Sequence, residues 1–323
     1  MDISNSTVLI TGAMGQIGCH IAEQLIKENV RKVIIFDNFL LDTKKNLEEI
    51  SKNLKIEIFQ GDVTNIRDLH KAMKGVDYVF HLASLMTLHS YSHPRSLLEV
   101  NVNGTYNVLE TCIEMGVKKI IFSSSHSIYG VPITDLITEE HPFNHQSLYG
   151  ATKVAGEQLC QAFKGMYGLD YVILRYSTVY GEHQHKKGRN SIFLLDNIER
   201  IENGKPPIIS GDGKRTLNLI YVGDVARANI LALKSNVISE AFLIAAKENQ
   251  TEEYIIRMLL ELLDSNLKPE YRPSEEPIEK HHFSVEKAER LLGFKAETPL
   301  REGLMKLIRW YRENKSSNED SGC

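Results

Sequence analysis

Residues 8–18 read VLITGAMGQIG, an apolar run that leads directly into three glycines with the spacing Gly-x-x-Gly-x-x-Gly. The β-branched residues before Gly12 predict a buried strand, and the amphipathic stretch at residues 19–27 predicts a helix. Glycines between a strand and a helix let the backbone turn tightly and approach a pyrophosphate, which the helix N-terminus attracts. The stretch therefore predicts the first strand–loop–helix unit of a dinucleotide-binding α/β fold.

An acidic residue, Asp37, follows the second predicted strand at residues 32–36. A carboxylate at this point accepts hydrogen bonds from the adenosine ribose hydroxyls and repels a 2′-phosphate, which favours NAD over NADP. Three glycines alone could form an ordinary turn. A dinucleotide site is favoured over such a turn, because the glycines lie between a strand and a helix and Asp37 follows the next strand.

Strands and helices continue to alternate through the first half of the chain. The predicted elements are strands at 56–60, 78–83 and 119–123 and helices at 66–73 and 96–115. This alternation predicts an α/β protein with a Rossmann-type, doubly wound parallel sheet, whose ligands lie beyond the carboxyl ends of the strands. His81 lies near the end of a buried strand, and we interpret it as a hydrogen-bonded core residue rather than a ligand.

The regular alternation stops after residue 175, where a smaller C-terminal substrate lobe is predicted to begin. We expect residues 1–175 to form the NAD-binding domain, with residues 218–240 returning to it. Residues 176–314 would mainly form the substrate lobe, and the polar residues 315–323 are predicted to be disordered.

Composition limits the class of protein. The 323 residues are 42% hydrophobic and 25% charged, and the net charge is −4. These values fit a soluble globular protein and give no support for binding to nucleic acid or to an anionic membrane. The four cysteines show no paired spacing, and no signal peptide is evident, so we expect reduced thiols and a cytoplasmic location.

Tyr149 and Lys153 stand four residues apart at the start of a predicted helix, and at that spacing both side chains lie on one helix face. An ammonium group beside a phenol stabilises the phenolate, so Tyr149 is a candidate acid/base. The spacing also occurs by chance in many helices. Ser125 follows the strand at residues 119–123 and would reach the same sheet edge, where it would polarise a substrate alcohol while Tyr149 exchanges its proton and hydride passes to or from nicotinamide.

The motifs of the chain, from Val8 to about Trp310, resemble those of the extended short-chain dehydrogenase/reductases in the nucleotide-sugar epimerase/dehydratase branch, most of all UDP-glucose 4-epimerases. The matching segments are residues 11–18, 61–63, 81–84, 101–105, 123–130, 149–153, 174–176, 211–213 and 221–225. The resemblance implies a NAD-dependent enzyme that acts on a nucleotide sugar. It also implies a homodimer, formed as a four-helix bundle by the helix at 96–115 and the helix that carries Tyr149.

The resemblance also implies roles for individual residues. Ser125, Tyr149 and Lys153 would be catalytic, Asp62 and Val63 would border the adenine, and Lys153 could bond the nicotinamide ribose. The implied cofactor-binding residues are Gly12, Gly15, Gln16, Ile17, Gly18, Asp37, Asn38, Asp62, Val63, Leu82, Ala83, Ser84, Asn101, Tyr149 and Lys153. The implied substrate-binding residues are His126, Ser127, Thr178, Arg215 and Arg272.

The sequence departs from the family at several places, among them Thr178, which replaces the family's Asn after the Arg-Tyr motif. The 4,6-dehydratases carry an Asp-Glu pair after the catalytic hydroxyl, and His126 and Ser127 stand there instead, so dehydration is disfavoured. The family's phosphate-binding Arg corresponds to Leu217. Arg215 lies on the same face of an extended segment and either substitutes for this Arg or is a solvated surface charge.

We interpret the chain as a NAD-dependent nucleotide-sugar epimerase, acting at C4 of a UDP-sugar through a 4-keto intermediate. The alternative is a reductase or dehydrogenase of a nucleotide-linked sugar, which would use the same residues. A dinucleotide-sensing protein without chemistry is disfavoured by the Tyr149–Lys153 pair. His183 and His185 suggest a metal, but no further ligand stands near them, so no metal is predicted.

Overall fold

A parallel sheet of seven strands forms the centre of the computed structural model, which describes residues 2–40, 52–86, 93–184, 189–273 and 282–319. The strands of the chain are β1 (Thr7–Thr11), β2 (Lys32–Asp37), β3 (Ile56–Gln60), β4 (Tyr78–His81), β5 (Lys119–Ser125), β6 (Leu136–Ile137), β7 (Asp170–Tyr176), β8 (Thr178–Tyr180), β9 (Ile208–Ser210), β10 (Thr216–Leu217), β11 (Leu219–Tyr221), β12 (Glu240–Ile244), β13 (Gln250–Thr251), β14 (Glu270–Arg272) and β15 (His282–Phe283). The central sheet has the order β12-β7-β5-β4-β1-β2-β3. This order confirms the predicted doubly wound, Rossmann-type fold.

Helices cover both faces of this sheet. They are α1 (Gln16–Lys27), α2 (Ile66–Ala72), α3 (Pro94–Leu98), α4 (Gly104–Met115), α5 (Leu148–Tyr167), α6 (Arg189–Glu202), α7 (Val222–Lys234), α8 (Glu252–Leu262), α9 (Glu286–Leu292) and α10 (Leu300–Glu319). Side chains alternate across β1, so Val8 and Ile10 lie in the core with α1 and α7, whereas Leu9 lies in the core with α4 and α5. None of the helices in the described residues is long and apolar enough to cross a membrane.

The helix predicted at residues 96–115 begins earlier and is interrupted. Pro94 occupies its first turn, where a missing N–H costs no helical hydrogen bond. A π-helical turn, Glu99–Asn103, separates α3 from α4. Such a turn changes the direction of the side chains that follow, and here it contains Asn101, which is buried.

Outside the central sheet, α6, α8 and α10 pack around three small two-stranded sheets, and their assignment to a separate substrate lobe stays a prediction. The chain returns to the central sheet through α7 and then through β12, so the return extends to Ile244, beyond the predicted 218–240. The sequence predicts disorder from Lys315, but helix α10 continues to Glu319. A helix whose earlier turns are packed can extend, because each added residue adds one hydrogen bond. Residues 320–323 lie outside the described residues.

His81 connects β1, β4 and α4 through a buried chain of hydrogen bonds. Its Nδ1 lies 2.7 Å from Thr11 Oγ1, and its Nε2 lies 2.9 Å from Thr105 Oγ1. The Thr105 hydroxyl donates its hydrogen to the carbonyl of Asn101, so its oxygen accepts a hydrogen bond from the Nε2–H of His81. Nδ1 then carries no hydrogen, and the Thr11 hydroxyl donates to it. His81 is the core residue that the sequence predicted.

Burial lowers the pKa of His81 to about 3, and the nearby Lys153 contributes. In the unfolded chain the imidazole takes up its proton near pH 6.5, so the unfolded state binds more protons between pH 6.5 and 3. Stability from the neutral His81 is therefore complete above pH 6.5 and is lost as the pH falls. At pH 5 the loss is about 2 kcal/mol, from 1.36 kcal/mol for each pH unit.

We predict that His81→Gln flattens this pH dependence, because glutamine does not titrate. Urea unfolding at pH 7 and pH 5 measures the change for the unmodified protein and for the variant. His282→Gln, at an exposed position of β15, is the matched control and should keep the full loss. An equal loss for the unmodified protein and His81→Gln would contradict the assignment.

Candidate active site

The glycine loop between β1 and α1 fits closely against the end of β4. Gly12 has φ +65°, and a Cβ there would lie 2.7 Å from the Cα of Ala83. A Cβ at Gly18 would lie 2.6 Å from the Cα of Ala13. Helix α1 starts directly after Gly15, whose lack of a side chain leaves the N–H groups of the first turn open to an anion. The loop therefore fits the pyrophosphate of a dinucleotide.

Three polar side chains meet at the ends of β2 and β3. Asp37 accepts hydrogen bonds from the N–H groups of Met14 and Phe39, both at 2.9 Å, which ties it to the glycine loop. Asn38 donates to the Asp62 carboxylate at 2.9 Å. Burial raises the pKa of Asp37, and the negative charge of Asp62 adds to this effect. This acidic end of the site fits an adenosine with free ribose hydroxyls.

Asn101 links the loop after β4 to the head of α5. Its Oδ1 accepts the N–H of Leu85 at 2.8 Å, and its Nδ2 donates to the Leu85 carbonyl at 2.9 Å and to Thr152 Oγ1 at 3.0 Å. Thr152 in turn donates to the carbonyl of Tyr149. Asn101 therefore holds the loop that includes Leu82, Ala83 and Ser84, and a direct contact with the cofactor stays a prediction.

Ser125, Tyr149 and Lys153 come together where β5 ends and α5 begins. The side chains of Tyr149 and Ser125 are close enough to interact, and Ser125 Oγ accepts the N–H of Ser127 at 3.2 Å. The Lys153 Nζ donates to the carbonyl of Ser123 at 2.8 Å and lies 5.7 Å from the centre of the Tyr149 ring. The three residues thus form one cluster, and their catalytic role stays a prediction.

The protonation of this cluster differs from the expectation that the ammonium stabilises the phenolate. Burial raises the pKa of Tyr149 to about 12, and only the interaction with Ser125 opposes it. Burial also lowers the pKa of Lys153 to about 8, against the effect of Glu157. Without cofactor, desolvation therefore dominates, and Tyr149 is a neutral phenol at neutral pH.

Two arginines that the resemblance implies for substrate binding are paired with carboxylates. Arg215 Nη1 lies 3.4 Å from Glu252 Oε1, and Glu252 is buried. Arg272 lies on the exposed β14 and contacts Glu270 at 2.9 Å. Arg215 is therefore more than a solvated surface charge, because it neutralises a buried acid. A role in phosphate binding stays a prediction for both residues.

The other predicted substrate residues lie at the same edge of the sheet. His126 packs its ring edge-on against Phe283, with ring centres 5.5 Å apart. The Ser127 hydroxyl is buried and finds no hydrogen-bond partner among the described residues. Thr178 begins β8 and donates its N–H to the carbonyl of Asn218 at 3.1 Å. A buried hydroxyl without a partner is a suitable contact for a polar group of a substrate.

Two buried charged residues were missed by the sequence analysis. Glu157 stands on α5 and Arg175 on β7, and they form a two-point ion pair with distances of 2.7 and 3.0 Å. Neither had a predicted role, although the sequence carries signals for both: Glu157 follows Lys153 by four residues, and Arg175 interrupts an apolar strand. Asn218 was also missed, and its amide contacts Ala246 and Asn249.

The possible metal ligand His183 has other neighbours. Its Nε2 lies 3.8 Å from Glu23, and its ring lies 5.2 Å from that of His20. His185 lies outside the described residues. Within the described part of the chain, His, Cys, Asp and Glu form no group of three or more that could hold a metal ion.

Comparison with known proteins shows the family of the chain. Residues 8–245 match the model of the NAD dependent epimerase/dehydratase family. A protein of Methanocaldococcus jannaschii, provisionally named a UDP-glucose 4-epimerase, is 34% identical over 313 residues, which cover 95% of this chain and 99% of the relative. The chain therefore belongs to the NAD-dependent epimerase/dehydratase family, as the motifs indicated.

Solved structures of nucleotide-sugar epimerases are similar to this chain over almost its full length. The UDP-N-acetylglucosamine 4-epimerase of Methanobrevibacter ruminantium is similar with a TM-score of 0.89 at 29% identity, covering 96% of this chain and 99% of that one. The UDP-glucuronic acid 4-epimerase of Bacillus cereus, solved with UDP-glucuronic acid and NAD, has a TM-score of 0.86 at 28% identity. The match covers 95% of this chain and 99% of that one. The protein is a NAD-dependent enzyme of this family, which confirms the predicted cofactor.

We predict that Gly18→Ala weakens NAD binding at least tenfold, because the new Cβ meets backbone atoms that cannot move without displacing the glycine loop. Overpacking of this kind also destabilises by about 1–3 kcal/mol. Isothermal titration with NAD and urea unfolding measure the two effects.

Gly165→Ala is the matched control. Gly165 lies in α5, and a Cβ added there would meet no neighbouring atom within 4 Å. Alanine should therefore raise stability by up to about 1 kcal/mol and leave NAD binding unchanged. NAD binding by Gly18→Ala as tight as by the unmodified protein would show that the loop does not hold the cofactor.

Proposed function

We propose that this enzyme epimerises the C4 carbon of a nucleotide sugar, with a UDP-sugar as the favoured substrate class. The cluster of Ser125, Tyr149 and Lys153 where β5 ends and α5 begins is the observation that carries the proposal. The cluster lies at the carboxyl edge of the sheet, where the glycine loop would bring a dinucleotide. The relatives that act at C4 of UDP-sugars support the choice of carbon and nucleotide.

Each residue of the cluster has a distinct task in this proposal. NAD supplies a hydride acceptor and, in its reduced form, the donor. The Tyr149 oxygen takes the proton from the C4 hydroxyl and later returns it, while the Ser125 hydroxyl hydrogen-bonds the same sugar oxygen. Because burial holds the pKa of Tyr149 at about 12, the phenol acts as a base only where a positive charge stabilises the phenolate, and the Lys153 ammonium lies 5.7 Å from the ring.

Dehydration is a poor fit to the same site. Loss of water from a hexose needs an acid and a base beside the catalytic hydroxyl. His126 follows Ser125 directly, but its ring packs on Phe283, and Ser127 has no ionisable group. Epimerisation and simple redox chemistry remain, since both need only the proton exchange at one alcohol.

We also propose a homodimer, with α4 and α5 packing against their copies in a second subunit. Large apolar side chains are exposed along these helices, with 44% of Tyr106, 69% of Met166 and 55% of Tyr167 accessible. Exposed apolar groups of this size on adjacent helices favour a protein interface. The proposed location is the cytoplasm, which agrees with the buried free thiols of Cys112 and Cys160.

We predict that Tyr149→Phe abolishes turnover, with a loss of at least a thousandfold, and leaves NAD bound. The phenyl ring keeps the packing but cannot exchange a proton, and general acid–base catalysis contributes about 10²–10⁴-fold. Product formation and bound NAD are measured on the same preparation. Full activity in this variant would remove Tyr149 from the mechanism.

The reductase alternative is distinguished by cofactor stoichiometry. The unmodified protein is incubated with UDP-glucose, UDP-N-acetylglucosamine, UDP-glucuronate and dTDP-glucose, and the sugars are analysed after hydrolysis. We expect many turnovers of one UDP-sugar for each bound NAD, with conversion to its C4 epimer. Consumption of one external NADH for each product formed would instead establish the reductase.

A further inference from the structure

Three consecutive serines end β5, and the structure uses them differently. The Ser123 hydroxyl is 3.0 Å from the Tyr176 hydroxyl, and the Ser123 carbonyl accepts the Lys153 ammonium. The Ser124 hydroxyl donates to Glu157 Oε1 at 2.5 Å. Of the three, Ser125 is the one that interacts with Tyr149. The first two serines therefore fasten the strand that presents the third.

On α5, Glu157 accepts the hydrogen bond that ties β5 to this helix. It stands on α5, one helical turn beyond Lys153, and its side chain is fully buried. It accepts hydrogen bonds from Ser124 and from both Nε and Nη2 of Arg175 on β7. One carboxylate thus joins α5, β5 and β7.

Arg175 is held in turn by groups outside this pair. Its Nη1 donates to the Tyr129 hydroxyl at 2.9 Å and to the carbonyl of Glu139 at 2.7 Å. Both charges of the network therefore have partners, which a buried carboxylate and guanidinium require. Because the network is buried, we expect any effect on catalysis to act through Ser125 or Lys153.

We propose that Glu157 is a positioning residue for catalysis: it holds Ser125 in line with Tyr149 and keeps a negative charge next to Lys153. The proposal rests on the function proposed above for Ser125, Tyr149 and Lys153. The first task is geometric, because the Ser124 hydrogen bond sets the position of β5 along α5. The second task is electrostatic, because a carboxylate favours the ammonium form of a buried lysine beside it.

The two tasks predict different changes, so two variants separate them. Ser124→Ala removes the hydrogen bond between strand and helix and keeps the Glu157–Arg175 pair. Glu157→Gln combined with Arg175→Gln removes both charges, and the new amide oxygen at position 157 can still accept the Ser124 hydroxyl. The paired substitution avoids a lone buried charge, which would strongly destabilise the protein.

For Ser124→Ala we expect kcat to fall about tenfold or more with KM within about twofold, because a displaced Ser125 affects the reaction more than binding. The pH profile of kcat should keep its shape. This variant loses one hydroxyl and retains the buried ion pair, so it tests the geometric task in a folded protein. An unchanged kcat in Ser124→Ala overturns the geometric half of the proposal.

For the paired glutamine variant we expect the alkaline limb of the kcat profile to move to lower pH by about one unit or more, the size of the effect of one nearby charge. The sign follows from Lys153, whose pKa of about 8 is held up by Glu157 against burial. Loss of that charge lets Lys153 lose its proton earlier. An alkaline limb at the position of the unmodified protein overturns the electrostatic half.

The matched control changes a charge pair between the same helix and the same strand at their other end. Lys164 on α5 lies 2.5 Å from Asp170 on β7, and both side chains are about one-third exposed. Lys164→Gln with Asp170→Asn should leave kcat and its pH profile unchanged. The same shift in this control would show that any loss of charge between α5 and β7 has the effect, which overturns the special role of Glu157.

A spectroscopic measurement separates this proposal from the proposed function. In NAD-loaded protein, the tyrosinate absorbance that Tyr149→Phe removes should appear at higher pH in the paired glutamine variant. This readout needs no sugar. If Tyr149→Phe is inactive but the paired variant titrates like the unmodified protein, the electrostatic task of Glu157 is wrong and the proposed function stands. If Tyr149→Phe remains fully active, the proposed mechanism is wrong, and the positioning role with it.

Discussion

The ion pair between Glu157 and Arg175 is the constraint on which the arrangement of the site depends. Two opposite charges with 0% and 5% side-chain exposure are stable inside a protein only when nearly all of their hydrogen-bonding atoms are satisfied. That requirement fixes three elements relative to one another, because α5, β5 and β7 each contribute a partner. The helix that carries Tyr149 therefore cannot slide along the strand that carries Ser125 without exposing a buried charge to an apolar surrounding.

Burial has the opposite effect on the two ionisable groups above this pair. It raises the pKa of Tyr149 to about 12 and lowers that of Lys153 to about 8, so both shifts disfavour the charged form. At neutral pH Tyr149 is therefore a neutral phenol, whereas Lys153 still carries most of its positive charge.

The sequence predicted the central sheet well because its signals are local. The glycines after β1, the alternation of strands and helices, and the serines after β5 each depend on a few adjacent residues, and parallel strands bring their carboxyl ends to one edge. The contacts of Arg215 and Arg175 could not be predicted in this way. Arg215 pairs with Glu252, 37 residues away, and Arg175 pairs with Glu157 on a different element. The balance between burial and charge at Tyr149 also depends on packing that no local pattern encodes.

The strand order has a consequence for how the chain folds. β7 ends at Tyr176, but its outer neighbour β12 starts only at Glu240, after the elements β8 to β11 and the helices α6 and α7. During synthesis, β7 is therefore an unpaired edge with open N–H and C=O groups until residue 244 has emerged. Chains that are truncated between these two strands would expose this edge to other chains, so we expect the intact C-terminal half to protect the NAD-binding half from aggregation.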